Sequence, residues 1–391
     1  MNSGAALNVL ALNSGSSSLK FGLYRVGPAQ AELLVSGEAD STGDKDSNVH
    51  ARLRNGTALH SEILPVPNQQ TVIARIGRLL TDSKLPAPDA IGHRIVHGGP
   101  RLRQHCLIDG GVLRALETAS AFAPLHIPGA MSLIRLAQGH FPGLPQIACF
   151  DTTFHAELPD IARVLPLPKE LLSEGIQRYG FHGLSCESIV RQLGNNLPER
   201  LIVAHLGNGA SVTAIRNGKS IDTSMGLTPT GGVIMGTRSG ELDPGVLVYL
   251  MREKNLGATE LEELVDRRSG LFGISGIDSD MRRLHEAAPS STDARLAIQM
   301  FCYSVRKQIA AMIAALDGVD IVVFTGGIGE NDAEVRANIC TGLSWMGVGL
   351  KDGHSGAARN PINHIGPRCV VCVLPSQEDE QIARHAWEIL S

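Results

Sequence analysis

The 391-residue chain lacks any apolar run that approaches the ~20 residues of a membrane span. Its most apolar stretch, 294–316, is interrupted by Arg295, Arg306 and Lys307. No basic N-terminal region precedes an apolar segment, so no signal peptide is expected. Charge of either sign is not in excess. The formal net charge is −4, which points neither to nucleic acid nor to an anionic membrane surface. Cysteine is sparse. The seven cysteines are scattered and odd in number, which argues against a disulfide framework and for a reducing, cytoplasmic compartment. Cys369 and Cys372 form a C-x-x-C, but no second pair completes a zinc site. The stretch 369–374 reads as a buried strand whose sulfurs act as small hydrophobes. The G-x-x-x-x-G-K-[ST] phosphate loop and the G-x-G-x-x-G dinucleotide fingerprint are both missing.

What is present is a globular composition, 43% hydrophobic and 19% charged, on a chain long enough for two domains. Glycine is in excess, with 43 residues against a usual share of ~7%. Many stand in short clusters, where the backbone can turn tightly or approach a ligand. Residues 7–13 read as a strand, Ser14 to Ser18 as a Ser/Gly turn, and 19–26 as a return strand. The device recurs half a chain later. Strand 201–206 leads into the turn Gly207-Asn-Gly209, then strand 210–216, then the two-residue hairpin signal Asn217-Gly218 and strand 219–223. Such repetition predicts a duplicated α/β architecture. Strands are also expected over 91–96, 147–150, 320–324 and 369–374. Helices are expected over 112–122, 130–138, 291–316, 333–343 and 378–390. The proline-rich passage after Asp151 predicts a domain boundary. The first domain is expected to comprise 1–150 with 376–391, and the second 151–375.

Three small-residue loops follow strands directly: 13–18, 207–209 and 326–331. Such loops let backbone N–H groups point at an anion, and the third is expected to open a helix, whose N-terminus favours negative charge. Two arginines sit among glycines, in Gly92-His-Arg-Ile-Val-His-Gly-Gly99 and Met235-Gly-Thr-Arg-Ser-Gly240. Arg94 and Arg238 offer the planar, permanently charged donors that phosphoryl and carboxylate groups need. Asp151 ends a strand, where a carboxylate can serve a metal or a proton; capping of the next turn is an equally good account. His182 stands between Phe181 and Gly183, and a structural role is the commoner fate of such a histidine.

These segments together resemble the acetate/propionate/butyrate kinase family. The ordered set spans nearly the whole chain: Asn13-Ser-Gly-Ser-Ser-Ser18, the Arg94 segment, Pro124-Leu-His126, Phe150-Asp-Thr152, Tyr179-Gly-Phe-His-Gly183, His205-Leu-Gly-Asn-Gly209, Asp222-Thr-Ser-Met-Gly-Leu-Thr-Pro229, the Arg238 segment and Gly327-Ile-Gly-Glu-Asn331. The resemblance implies two ribonuclease-H-like domains of the actin and hexokinase type with a cleft between them, and a homodimer. It implies magnesium (or manganese) held by Asn13 and Glu378. It places ATP/ADP among Lys20, His205, Leu206, Gly207, Asn208, Gly209, Asp280, Met281, Arg282, Gly327, Ile328, Gly329, Glu330 and Asn331. Arg94 is implied to bind the substrate carboxylate, with Val96, Leu125, His126, Phe181 and Pro229 around it. Asp151, His182 and Arg238 are implied to be catalytic. The implied reaction is ATP + acetate = ADP + acetyl phosphate, by direct in-line transfer. The chain departs from the family pattern at Ile127, Leu184, Cys186, Ser376 and Gln377. A propionate or other short-chain acyl kinase is the alternative. A non-catalytic, nucleotide-switched protein of the same superfold is a further one, and Arg94, Arg238 and Glu378 argue against it.

Overall fold

The structure is a computed structural model that describes residues 4–15, 18–40, 47–64, 69–348, 362–363 and 369–391. The chain divides into two compact units. The first comprises Met1–Ala156, Gly183–Ser188 and Gln377–Ser391; the second comprises Glu157–His182 and Ile189–Ser376. Residues 151–156 and 183–188 therefore belong to the first unit, whereas the expected division assigned them to the second.

In the first unit the strands are β1 (Leu7–Ser14), β2 (Ser18–Val26), β3 (Ala31–Asp40), β4 (Ser47–Leu53), β5 (Ala58–Leu64), β6 (Ala90–Ile95), β7 (Cys106–Leu107) and β8 (Gln146–Phe150). They form one sheet in the order β5-β4-β3-β2-β1-β6-β8-β7. β1, β2 and β3 are antiparallel, while β1, β6 and β8 run parallel. The turn residues Ser16 and Ser17 lie outside the described residues. β1 lies inside the sheet and is covered on both faces, because its alternate side chains point in opposite directions. Leu10 and Leu12 pack with Ile73 and Ile76 of the helix Gln69–Asp82 and with Leu133 of the helix Ile127–His140. Val9 and Ala11 pack with Ile382 and Ala386 of the C-terminal helix Glu378–Leu390. The last helix of the chain is thereby fixed against its first strand.

The second unit repeats the topology. Its strands are β9 (Arg200–Leu206), β10 (Ala210–Arg216), β11 (Lys219–Thr223), β12 (Ile321–Thr325), β13 (Ile362–Asn363) and β14 (Val370–Val373), in the order β11-β10-β9-β12-β14-β13. Again the first three are antiparallel, and β9, β12 and β14 run parallel. Strand order and direction thus match β3-β2-β1-β6-β8, which is the duplicated ribonuclease-H-like architecture of actin and the sugar kinases. Asn217 and Gly218 both take positive φ, 50° and 80°, the signature of a type I′ hairpin. The helix Thr292–Ala315 packs on β9 and β10, with Ser291 Oγ accepting from the backbone N–H of Ala294 at 3.2 Å. Cys369 is buried, but Cys372 on β14 is half-exposed, so only the first sulfur is a core hydrophobe.

One expectation changes. The stretch expected to be a glycine loop ahead of a helix is itself a six-residue helix, Gly326–Asn331. Its start needs a left-handed residue. Gly326 has φ 78°, and a Cβ there would lie 2.8 Å from the Leu206 carbonyl oxygen. Arg336, only 1% exposed, closes the other end by donating to the carbonyls of Gly329 and Glu330 at 2.9 and 3.0 Å.

Phe324 on β12 is fully buried. Phe324→Ala is expected to cost about 3–5 kcal/mol, read as a lowered urea midpoint for the second unit.

Candidate functional site

Three parallel strands of the first unit end together. Leu12 of β1 pairs with His93 of β6, and Ile95 of β6 pairs with Phe150 of β8. Asn13, Arg94 and Asp151 therefore emerge at the carboxyl edge of one sheet, where α/β folds place their ligands. The helix Glu378–Leu390 starts at the same edge, because its apolar face is packed along β1.

The side chains form a continuous network. Arg94 Nε and Nη2 donate to Asp151 Oδ2 at 2.9 and 2.7 Å, and Nη1 donates to Asn13 Oδ1 at 3.2 Å. Asn13 Nδ2 in turn donates to Glu378 Oε2 at 3.1 Å and Asp379 Oδ1 at 2.8 Å. Asp379 had no signal in the sequence. Lys20 faces the same group, since it pairs with Asn13 across β1 and β2. Asp151 is 1% exposed, and its Oδ1 is buried without a hydrogen-bond partner. Burial pushes the Asp151 carboxyl up to about 6, with Arg94 opposing. Burial likewise raises Asp379 to about 6, with Glu378 adding to the effect and Asn13 opposing. Burial works against the charge on Arg94 too, but Asp151, Glu378 and Asp379 outweigh it and hold the guanidinium charged. The carboxylates of Glu378 and Asp379 are hard oxygen donors of the kind that suits magnesium, while the Asn13 oxygen is turned to Arg94 and its amide N–H group to those carboxylates.

Of the expected substrate residues in this unit, Val96 is half-buried just beyond β6, Leu125 is 41% exposed, and His126 immediately precedes the helix Ile127–His140 without a side-chain capping bond. Ile127, Leu184 and Cys186, where the chain departs from the family pattern, are all core residues with at most 1% exposure.

The second unit gathers a different set. His182 takes the left-handed conformation, φ 57° and ψ 28°, immediately before the helix Gly183–Leu193. A non-glycine residue held there costs about 1–3 kcal/mol and often marks a functional position. Its Nδ1 lies 2.9 Å from Ser211 Oγ on β10. Its ring stacks on His205, with centroids 4.1 Å apart and planes 18° apart. A Cβ on Gly209 would stand 3.3 Å from His182 Nε2 and 3.4 Å from Arg238 Nη1. The glycine therefore lets two cationic or polar tips approach one turn. Arg238 Nη1 also donates to the carbonyl of Pro229 at 3.3 Å, and Phe181 is buried beside His182 in the chain. Gly207 lies on the same patch: a Cβ there would be 3.9 Å from both the Gly327 nitrogen and His205 Nε2. A Cβ on Gly327 would meet open space.

Other expected nucleotide residues serve local structure. Glu330 Oε1 accepts from the backbone N–H groups of Gly326 and Ser376 at 3.0 and 2.9 Å. Asn331 Nδ2 donates to the Gly327 carbonyl at 2.9 Å. Asp280 caps the helix Met281–Ala287 and pairs with the Arg282 guanidinium. That pairing holds the Asp280 carboxyl below its usual range.

The sequence matches the Acetokinase family over residues 8–384. This chain belongs to that family. A protein named acetate kinase from Nitrobacter hamburgensis is 39% identical over 392 residues, covering 98% of this chain and 96% of its own length. One of the same name from Methylocella silvestris is 40% identical over 401 residues, covering 98% of each. Among solved structures, a propionate kinase from Francisella tularensis superposes with a TM-score of 0.90 at 36% identity, over 98% of this chain and all of that one. The Porphyromonas gingivalis acetate kinase gives 0.85 at 35% identity, with the same coverage. Membership makes the chain an ATP-dependent phosphotransferase with a carboxyl group as acceptor.

A carboxyl whose pKa rises on folding keeps its proton longer in the folded state. Asp151 therefore makes the ligand-free protein less stable as pH rises from 3.8 through about 6. Asp151→Asn is expected to flatten that slope, measured as unfolding free energy by denaturant titration across this window.

Proposed function

We propose that this family member transfers the γ-phosphoryl group of ATP reversibly to acetate, forming ADP and acetyl phosphate. The observation that carries the reading is Arg94, a guanidinium held on two sides by Asp151 and Asn13 at the carboxyl edge of a parallel sheet. Acetate is already ionised at neutral pH, so it needs no strong base. The difficulty is repulsion, since one anion must reach another. Phosphoryl transfer is catalysed mainly by positioning and by neutralising the oxygens of the transferring group.

In this reading Arg94 binds the acceptor carboxylate, and Asp151 orients Arg94 instead of acting as a general base. The two bonds from Arg94 to one Asp151 oxygen support that assignment. Val96, Leu125 and His126 are assigned to the acyl group from the first unit, and Phe181 and Pro229 are assigned to it from the second. Arg238 and His182 neutralise the phosphoryl group, and the glycines 207, 209 and 327 let its oxygens approach the backbone. Lys20, His205, Leu206, Asn208, Asp280, Met281, Arg282, Ile328, Gly329, Glu330 and Asn331 complete the nucleotide side. Glu330 and Asn331 act there by shaping the backbone. Asn13 and Glu378 would hold magnesium, which supplies positive charge to the phosphate oxygens when bound.

A propionate acceptor is the second reading, favoured by the likeness to the Francisella propionate kinase. An apolar pocket rejects one methylene by only about 1–3 kcal/mol. A cytoplasmic location fits the free cysteines. Among the described residues no helix is long and apolar enough to cross a membrane. A homodimer is supported by the helix Pro244–Lys254, which has no buried residue although Val246, Val248, Tyr249 and Met251 are 40–52% exposed. Exposed apolar faces of this kind mark interfaces.

The test is the rate of ADP formation with acetate, propionate and butyrate. Acetate is expected to have the highest kcat/KM, a chelator to abolish the rate, and added magnesium to restore it. Arg238→Ala is expected to lose about 2–5 kcal/mol of transition-state binding, roughly 30- to 5,000-fold in kcat/KM. ADP formation that ignores the added acid would contradict the reading. Tyr249→Glu is expected to give a monomer by analytical ultracentrifugation, where the parent sediments as a dimer.

A further inference from the structure

Away from the Arg94 network, the first unit holds a second cluster: His105 ahead of β7, Glu187 on the helix Gly183–Leu193, and His385 on the C-terminal helix. One ligand atom from each lies within 4.8 Å of the other two. The two imidazole centroids are 4.0 Å apart. This spacing would admit a metal ion, but the hydrogen bonds argue against one. The backbone N–H of Phe150 donates to His105 Nδ1 at 3.0 Å. A ring nitrogen that accepts carries no proton, so the neutral ring bears its proton on Nε2. Nε2 is the atom that faces the cluster, 3.6 Å from Glu187 Oε1, and an N–H offers no lone pair to a metal.

His385 is different. Its Nε2 lies 2.6 Å from Glu187 Oε2 and its Nδ1 3.1 Å from Glu388 Oε2. A ring with a carboxylate at each nitrogen is an imidazolium that donates twice. The Gln381 amide also lies 3.1 Å from Nε2, and the end it presents follows from the ring's protonation.

We propose that the His385 imidazolium, with one N–H directed at Glu187 and the other at Glu388, positions the C-terminal helix and with it Glu378 and Asp379 in that helix's first turn. Glu378 enters this inference as the metal-side carboxylate of the proposed function. Residue 385 stands about two turns after residue 378 on one rigid helix. Ile382, Ala383 and Ala386 bury the helix against the sheet, and the clamp adds a fixed polar tie to the helix Gly183–Leu193.

The groups that face His385 are Glu187, Glu388, Gln381 and His105, with the buried thiol of Cys149 near Glu187. Burial opposes the charge on His385, but hydrogen bonds to Glu187 and Glu388 raise its pKa to about 9. Burial likewise opposes the charge on Glu187, yet the two histidines bring it down to about 2. Burial lowers His105, in keeping with its neutral tautomer. A histidine raised in this way gives its full stabilisation below its ordinary value of 6.5 and loses it as pH rises through about 9. The clamp is therefore closed at neutral pH and released in alkali.

The test uses the full-length protein with ¹⁵N-labelled histidine. His385 is expected to remain doubly protonated up to about 9, with His105 as the Nε2–H tautomer. The thermal midpoint should fall as pH passes that value. His385→Gln should show the lower midpoint already at neutral pH, and His385→Arg, a permanent cation, should remove the alkaline fall. Magnesium-dependent ADP affinity, measured by calorimetry, should weaken several-fold in His385→Gln and recover in His385→Arg. An ordinary titration of His385 would overturn the proposal. So would one equivalent of zinc that binds the parent but not His385→Gln, or an ADP affinity unmoved by either variant. Failure to form acetyl phosphate with the affinity shift intact would count against the proposed function alone.

Discussion

The organising interaction is the grip of Asp151 and Asn13 on Arg94. An anionic acceptor can meet a triphosphate only where positive charge is held in place beforehand. Arg94 has to stay charged in a place that is largely withdrawn from water, and the surrounding carboxylates keep it so. Burial, with a smaller contribution from repulsion by Glu378, is why Asp151 and Asp379 both sit well above the ordinary range. Asn13 is the hinge of the arrangement. Its carbonyl oxygen faces Arg94 while its amide faces Glu378 and Asp379. One neutral side chain thus separates the Arg94 guanidinium from the two carboxylates of Glu378 and Asp379.

The second unit solves the complementary problem with glycine and strain. His182 is held at positive φ, and its ring is locked between Ser211 and His205. Gly209 leaves room for His182 and Arg238 to reach one turn. Buried Arg336 and the carboxylate of Glu330 fasten the short helix after β12 from both ends. These side chains are therefore held in place by bonds within the unit itself; in the proposed function, such prior positioning lowers the reorganisation that transfer requires.

Much of this was legible in the sequence. Asn217-Gly218 signals a hairpin because it is one of the few pairs that favour two successive left-handed residues, which both adopt here. The sequence singled out Arg94 and Asp151, which the structure joins by two hydrogen bonds. Partners distant in sequence were not legible. Asn13 meets Asp379 across 366 positions, and Glu187 meets His385 across 198; neither pairing leaves a local pattern. β3, β4 and β5 went unmarked for a related reason. They extend the sheet by antiparallel pairing in a stretch without glycine-cluster punctuation. The helix Gly326–Asn331 was mistaken for a loop because glycine is a poor helix former; tertiary bonds to Arg336 and Glu330 override that preference.

The central claim is that Arg94 selects and holds the carboxylate acceptor. It is tested most directly by trapping acyl phosphate as the hydroxamate, with ATP, magnesium and acetate supplied, in the parent and in Arg94→Ala. The account predicts product from the parent and a loss of at least about 100-fold in the variant, with ADP binding retained. Hydroxamate formed by Arg94→Ala at the parental rate would contradict it.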